Sequence, residues 1–226
     1  MKIIVDFSIV FYKFFHVLDT YEELEKEVTS KLTAIQMDLG VFDMTLAIDC
    51  GKSWRVDIFP EYKGTRPNDE RKQLARKWYS RILIPLEREY DILGLEGLEA
   101  DDICYLFACK HDCVVVSGDG DLEQLTAIAK TKLWKPFKRV FYVGDPYFSI
   151  LNKIIFGDSS DNIPRVAPRG VGPVALKKLY FEHDKQLDPM IESMGLDAEK
   201  VKRNVALIYF SRTVLDEHFE NLDNLC

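Results

Sequence analysis

Nine carboxylates stand where chemistry could use them: Asp6, Asp49, Glu99, Asp101, Asp102, Asp119, Asp121, Asp158 and Asp161. Asp6 and Asp49 each follow a short apolar run, and Glu99-Ala100-Asp101-Asp102 precedes an apolar helical pattern. Ser117-Gly118-Asp119-Gly120-Asp121 follows Val114-Val115-Val116, and Gly157-Asp158-Ser159-Ser160-Asp161-Asn162 comes later. Singly, each has an ordinary explanation. Glu99 suits the positive end of a helix dipole, Asp119 and Asp121 suit a turn around Gly120, and Asp158 suits a helix cap. Jointly they resist that account, because so many carboxylates gathered without cations would repel one another and take up protons. Bound divalent metal removes the cost, and oxygen-only ligands select Mg²⁺ or Mn²⁺ over zinc. Two such ions, about 3.5–4 Å apart, activate water and stabilise the leaving oxygen in phosphodiester cleavage.

Gathering the acids requires a sheet. Ile3-Ile4-Val5 runs into Asp6, Met44 to Ile48 into Asp49, and Val114-Val115-Val116 through a short turn into Asp119. Continuous apolar runs of this length suit parallel strands covered on both faces. Between the first two, Leu24, Val28, Leu32, Ile35 and Leu39 recur at helical spacing, which predicts a helix over Tyr21 to Leu39. A further helix is expected from about Ala100. The order strand, helix, strand, helix, strand predicts an α/β fold with a mainly parallel central sheet, whose ligands bind at the strands' carboxyl ends. Leu133-Trp134 and Val140 to Val143 read as a hairpin, and the chain turns helical from Phe148. Val201, Val205, Ile208 and Leu215 predict a closing helix over Ala198 to Phe219.

The 226 residues suit one large domain or one domain with a small appendage. No apolar run approaches the roughly 20 residues that span a bilayer, and charges break the N-terminal apolar stretch, against a signal peptide. Five cysteines (Cys50, Cys104, Cys109, Cys113 and Cys226) are odd in number and lack a CxxC pair, which predicts free thiols in a reducing, cytoplasmic setting. Cys109, His111 and Cys113 lack the second ligand pair zinc needs, so core packing is expected there.

A net charge of −7 argues at first against a nucleic-acid partner, but setting aside the nine acids leaves +2 for the rest of the chain. Arg55, Lys63, Arg66, Arg71, Lys72, Arg76, Lys77 and Arg81 cluster between the second strand and Glu99. Leu74, Trp78 and Ile82 give that stretch an apolar stripe, leaving the bases on the other face to grip phosphates, although a merely solvated face is the plain alternative. Tyr62 either stacks on a base or packs. Gly170-Val171-Gly172-Pro173 opens a helix carrying Lys177 and Lys178, and suits a sequence-blind clamp on duplex backbone.

Together VDFS, FPEYKGTR, EADD, SGDGDLEQL, GDSSDNIP and GVGPVAL resemble, in order, the motifs of the flap-endonuclease family of structure-specific 5′-nucleases. The similarity is greatest to the bacteriophage exonuclease/ribonuclease H branch and to the 5′-nuclease domain of bacterial DNA polymerase I. The resemblance implies a nuclease core over 1–147, with a basic arch over 62–98, and a helix–three-turn–helix part over 148–226. It implies two-metal hydrolysis of DNA with 5′ flaps or ends and of RNA–DNA hybrids, in replication or repair, by a monomer that meets other replication proteins. Asp6, Asp49, Glu99, Asp101, Asp119 and Asp121 would hold the catalytic metal, Asp158 and Asp161 the second, and Asp102 would assist from nearby. Lys63 and Arg66 would steer the scissile phosphate, and a monovalent cation would sit at the helix–three-turn–helix. The segment Arg165-Val166-Ala167-Pro168-Arg169 departs from the family pattern by its length. Two other classes compete. An aspartyl-phosphate phosphatase would need an aspartate where Ser8 stands, and a non-catalytic junction binder would have lost carboxylates that are all present here.

Overall fold

Strands nearly free of polar residues need cover on both faces, and the fold supplies it. The computed structural model describes residues 1–67, 69–219 and 222; Cys226 lies outside them. The strands are β1 (Lys2–Asp6), β2 (Met44–Ala47), β3 (Asp91–Leu93), β4 (Cys113–Val116), β5 (Lys132–Lys135) and β6 (Val140–Phe141). They form one sheet in the order β3-β2-β1-β4-β5-β6, parallel except for β6, which pairs antiparallel with β5. The expected hairpin is this last pair. The edge strand β3 was not expected, since Asp91-Ile92-Leu93 is too short to carry a pattern.

The helices are α1 (Phe7–Phe15), α2 (Tyr21–Leu39), α3 (Arg55–Ile58), α4 (Glu70–Leu86) and α5 (Ala100–Lys110), then α6 (Phe148–Phe156), α7 (Pro173–Glu182), α8 (Leu187–Met194), α9 (Ala198–Ile208) and α10 (Arg212–His218). Alternation along the strands divides the core. Ile3, Val5, Leu46, Val114 and Val116 share a cluster with side chains of α1, α2 and α4. Ile4, Ala47, Cys113 and Val115 share another with α5, and with Phe210, Leu215 and Leu222 from the chain's far end. A third cluster closes α6 to α9 around Ile155, Leu176 and Met190. Among the described residues, no helix is long and apolar enough to cross a membrane.

Asp6 ends β1 and caps α1, accepting from the Ile9 amide at 3.4 Å. Two expectations about helices need correcting. Leu74 is 40% exposed, so the buried stripe of α4 begins at Ala75 and runs through Ile82 and Leu86. The closing helix is broken into α9 and α10. At the break, Gln124 accepts from the Phe210 amide at 2.9 Å and donates to the Ile208 carbonyl at 3.0 Å, replacing helical partners.

Chain order places β1 between β2 and β4. The crevice outside their carboxyl ends is a topological switch point, where open α/β sheets bind ligands.

Candidate active site

At that crevice lies a cleft of ≈ 420 Å³ lined by Asp6, Asp49, Glu99, Asp101 and Asp119, with Tyr12, Lys63, Arg66 and Phe137 on its walls. Backbone and hydroxyl donors hold the acids. Asp6 accepts from Ser117 Oγ at 3.0 Å, besides its bond from the Ile9 amide. Asp49 accepts from Ser8 Oγ at 2.6 Å and from the Ala100 amide at 2.9 Å. Two strand-end acids are thus anchored on the first turns of α1 and α5, where the helix dipole favours negative charge. Asp119 accepts from the Asp121 amide at 3.0 Å, which ties the two acids of that loop together.

Behind the cleft runs a second layer of ionic contacts. Arg55, 2% exposed, donates to Asp102 Oδ1 at 2.7 Å, to Asp102 Oδ2 at 2.8 Å and to Glu99 Oε2 at 2.9 Å. It also donates to the Leu207 carbonyl of α9 at 2.9 Å. Asp102 is fully buried and accepts further from Trp54 Nε1 at 3.1 Å and from the Glu99 amide at 3.1 Å. Although Glu99, Asp101 and Asp102 place carboxylate oxygens within 4.8 Å of one another, Asp102 has spent its own on these donors. Tyr62, 6% exposed, donates to Glu99 and lies 3.1 Å from Asp161. The expectation that Arg55 grips a phosphate is therefore corrected, and of the two alternatives for Tyr62 the structure has the packed one. Both are sealed inside, because the acids they satisfy would be buried unpaired without them. Asp102, expected to assist from nearby, is fully buried and does not line the cleft.

Asp158 and Asp161 part company. Asp161 pairs with Arg66 at 2.6 Å, and the Lys63 amide donates to its carbonyl at 2.8 Å. The Lys63 side chain turns instead to Glu99. Asp158 faces Asp121 across the ammonium of Lys153, which lies 2.8 Å from the first and 2.7 Å from the second. The loop between them is tight. A side chain at Gly157 (φ 79°) would meet the Ile163 carbonyl at 2.3 Å.

Electrostatics mark the cleft as over-charged. Burial, with Asp49 and Asp119 beside it, pushes the Asp6 carboxyl up to about 7. Burial and Asp119 push Asp121 up to about 6 despite Lys153. Asp101 is raised by burial and by Asp102 and Glu99, although Arg55 opposes them. Glu99 goes the other way: burial raises it, but Arg55 and Lys63 more than offset that and hold it below the usual range. An all-oxygen donor set whose members force protons onto one another fits a hard divalent cation.

Residues 1–147 match the family model described as 5′-3′ exonuclease, N-terminal resolvase-like domain. The chain belongs to the 5′-3′ exonuclease family. Its relatives include a 5′-3′ exonuclease of Bacillus subtilis, 28% identical over 83% of this chain and 69% of that protein. Ribonuclease H of Enterobacteria phage T4 is 28% identical over 81% of this chain and 64% of its own length. Among solved structures, a bacteriophage T5 flap endonuclease, described as a pseudo-enzyme–product complex with DNA and metal ions, superposes with a TM-score of 0.79 at 21% identity. That match covers 99% of this chain and 95% of the T5 chain. A T5 5′-exonuclease with bound zinc gives 0.74 at 21% identity, over 99% of this chain and 98% of its own.

In this 5′-3′ exonuclease-family chain, the basic segment divides by contact. Arg76 and Lys77 lie exposed on α4 and Lys72 is half-buried there, leaving the buried stripe to Ala75, Ile82 and Leu86. Arg71 turns to the carbonyls of Phe15 and His16, and Arg81 lies over the Tyr21 ring, 3.7 Å from Glu22. Gly170 (φ 90°) and Gly172 open α7, and a Cβ at either would meet nothing within 4 Å, so the backbone there can be approached closely. Lys177 and Lys178 are exposed on α7. Three site residues escaped the sequence reading. Ser8 and Ser117 orient acids, and Lys153 bridges two of them. A signal for Lys153 existed, since it is the one charge in the apolar helix FSILNKIIF.

Proposed function

We propose that this chain is a structure-specific 5′-nuclease that hydrolyses phosphodiester bonds in DNA with 5′ flaps or ends and in RNA–DNA hybrids. The observation that carries this is the convergence of Asp6, Asp49, Glu99, Asp101 and Asp119 on one cleft, where burial and then neighbouring carboxylates drive Asp6 and Asp101 up. Asp6, Asp49, Glu99, Asp101 and Asp119 would hold one divalent ion and Asp158 and Asp161 a second, Mg²⁺ by preference with Mn²⁺ as substitute. Asp121, expected with the first set, faces Asp158 across Lys153 and would join the second. When bound, such ions supply an activated water and neutralise charge at the leaving oxygen.

The chain's own residues do the rest. Ser8 and Ser117 donate to Asp49 and Asp6, leaving the remaining lone pairs of both acids available to the cleft. Lys63 and Arg66 place positive charge at the cleft wall, where phosphoryl oxygens would gain negative charge. Glu99 and Asp161 hold them until substrate arrives. Asp102 and Arg55 act through Glu99 by fixing its carboxylate. The phosphatase reading weakens further here, because Ser8, in the place of the required acid, donates a hydrogen bond to Asp49.

A 5′-flap duplex incubated with protein and Mg²⁺ should be cut near the junction, and EDTA should stop the cutting. Release of phosphate from a small phosphomonoester, or binding without cleavage under any divalent ion, would overturn the assignment.

The exposed lysines of α7 permit a second expectation. Changing Lys177 and Lys178 together to Ala should weaken duplex binding by reducing its log–log salt slope by about one unit per lost phosphate contact. Single-turnover cleavage at saturating protein should stay close to wild type. An unchanged slope would remove both lysines from the interface.

A further inference from the structure

We propose that Lys153 is a resident counter-ion of the second acidic group, one that a divalent ion must displace in order to bind there. The inference rests on the metal-site reading above and concerns what that site contains before metal arrives. Lys153 is the only charge on α6, and Ile150, Leu151, Ile154 and Ile155 around it are buried. Its ammonium lies 2.7 Å from Asp121 Oδ1, 2.8 Å from Asp158 Oδ2 and 3.9 Å from Asp119 Oδ1. The two short distances are those of close ion pairs. One positive charge among three carboxylates leaves the group net negative, so it still attracts a dication.

The ammonium and a dication compete for the same oxygens. Both cannot stand within bonding distance of Asp121 and Asp158, since their mutual repulsion at that range outweighs what either gains. One must leave, and the geometry says which. The Lys153 side chain is 29% exposed, on a flexible stem with a path to solvent. Arg55, by contrast, is 3% exposed at its side chain and bonded to Asp102, Glu99 and the Leu207 carbonyl, so it is a permanent member of its group. Asp161 does not share Lys153, being held by Arg66 and Tyr62. The consequence is a built-in asymmetry. Among the described residues Asp6 and Asp49 pair with no cation, so the strand-end ion meets competition only at Glu99 and Asp101, from Lys63 and Arg55, and at longer range at Asp119. The ion at Asp121 and Asp158 binds at Lys153's expense.

Calorimetric titration of the DNA-free protein with Mn²⁺ at pH 8 tests this. Wild type should take up a tighter and a weaker equivalent. Lys153→Met, which keeps the stem and removes the charge, should tighten the weaker equivalent at least about tenfold and leave the tighter one unmoved. Lys153→Gln, which keeps a hydrogen-bonding head without charge, should do the same and serves if the methionine variant does not fold. Lys153→Arg should leave the weaker equivalent weak. A weaker equivalent that is unchanged or loosened in the uncharged variants would overturn the proposal and make Lys153 a structural tie. Absence of Mn²⁺ uptake by every protein would instead overturn the metal-site reading, and the proposal with it.

Discussion

Asp6→Asn is expected to give a protein that folds more stably and no longer cuts. The carboxyl of Asp6 sits at about 7 in the folded, metal-free chain and at 3.8 when free of its surroundings. Between those values the folded state holds a proton that the unfolded state has released, so stability falls as pH rises from about 4 to about 7. Above pH 7 the deficit levels off at roughly 4 kcal/mol, from about three pKa units at about 1.4 kcal/mol each. Asparagine is never charged and avoids this cost. It also keeps an oxygen for the Ile9 amide and a polar partner for Ser117. The melting temperature of the metal-free variant should therefore exceed wild type by about 8–16 °C at pH 8 and match it near pH 4. Cleavage should fall by more than about 100-fold, beyond what loss of an outer-shell partner usually costs. Thermal melts at the two pH values, paired with single-turnover assays, decide the matter. A variant less stable than wild type at pH 8 would show that Asp6 is a stabilising cap and no more.

A stability loss of about 3–5 kcal/mol is expected for Arg55→Met, the usual result of removing one partner from a buried ionic group. Methionine fills the volume of the stem but leaves Asp102 buried without its two guanidinium bonds, and Glu99 and the Leu207 carbonyl without theirs. Arg55→Lys should rescue little, since one ammonium cannot serve partners spread over that fork. Urea unfolding should show a lower midpoint at an unchanged slope. Variant protein that remains folded should bind duplex DNA with the wild-type salt slope, because Arg55 reaches no phosphate. A loss under about 1 kcal/mol, coupled to a reduced slope, would return Arg55 to the DNA-binding surface.

The difference between what the sequence disclosed and what it concealed follows the range of the interactions. Strand-end acids were legible because a short apolar run and the residue that ends it are neighbours in the chain. The same holds for α2, whose buried Leu24, Val28, Leu32 and Ile35 repeat within one helix. Arg55 was misread and Tyr62 left between two roles because their burial depends on partners far away: Glu99, 44 and 37 residues on, and Asp161, 99 residues beyond Tyr62. In a charge count they are one more cation and one more aromatic. Leu74 was misread for a milder reason. A stripe can be drawn through either Leu74 or Ala75, and only the packed layer chooses the smaller residue. The break between α9 and α10 depends on Gln124, 86 residues before Phe210, so no local signal announced it.

Phe210 and Leu215 complete the apolar layer on the α5 side of the sheet, and that has a consequence for the chain's synthesis. The strands β1, β2 and β4 have all left the ribosome by residue 116, but the residues that finish covering Trp54, Ile103 and Phe107 come about a hundred residues later. At about 5–20 residues per second the interval lasts roughly 5–20 s. Throughout it, a nascent polypeptide with most of its sheet assembled presents an unfinished oily face, open to chaperones or to a neighbouring nascent chain. The helix that stoppers the bottle is made well after the strands it helps to cover.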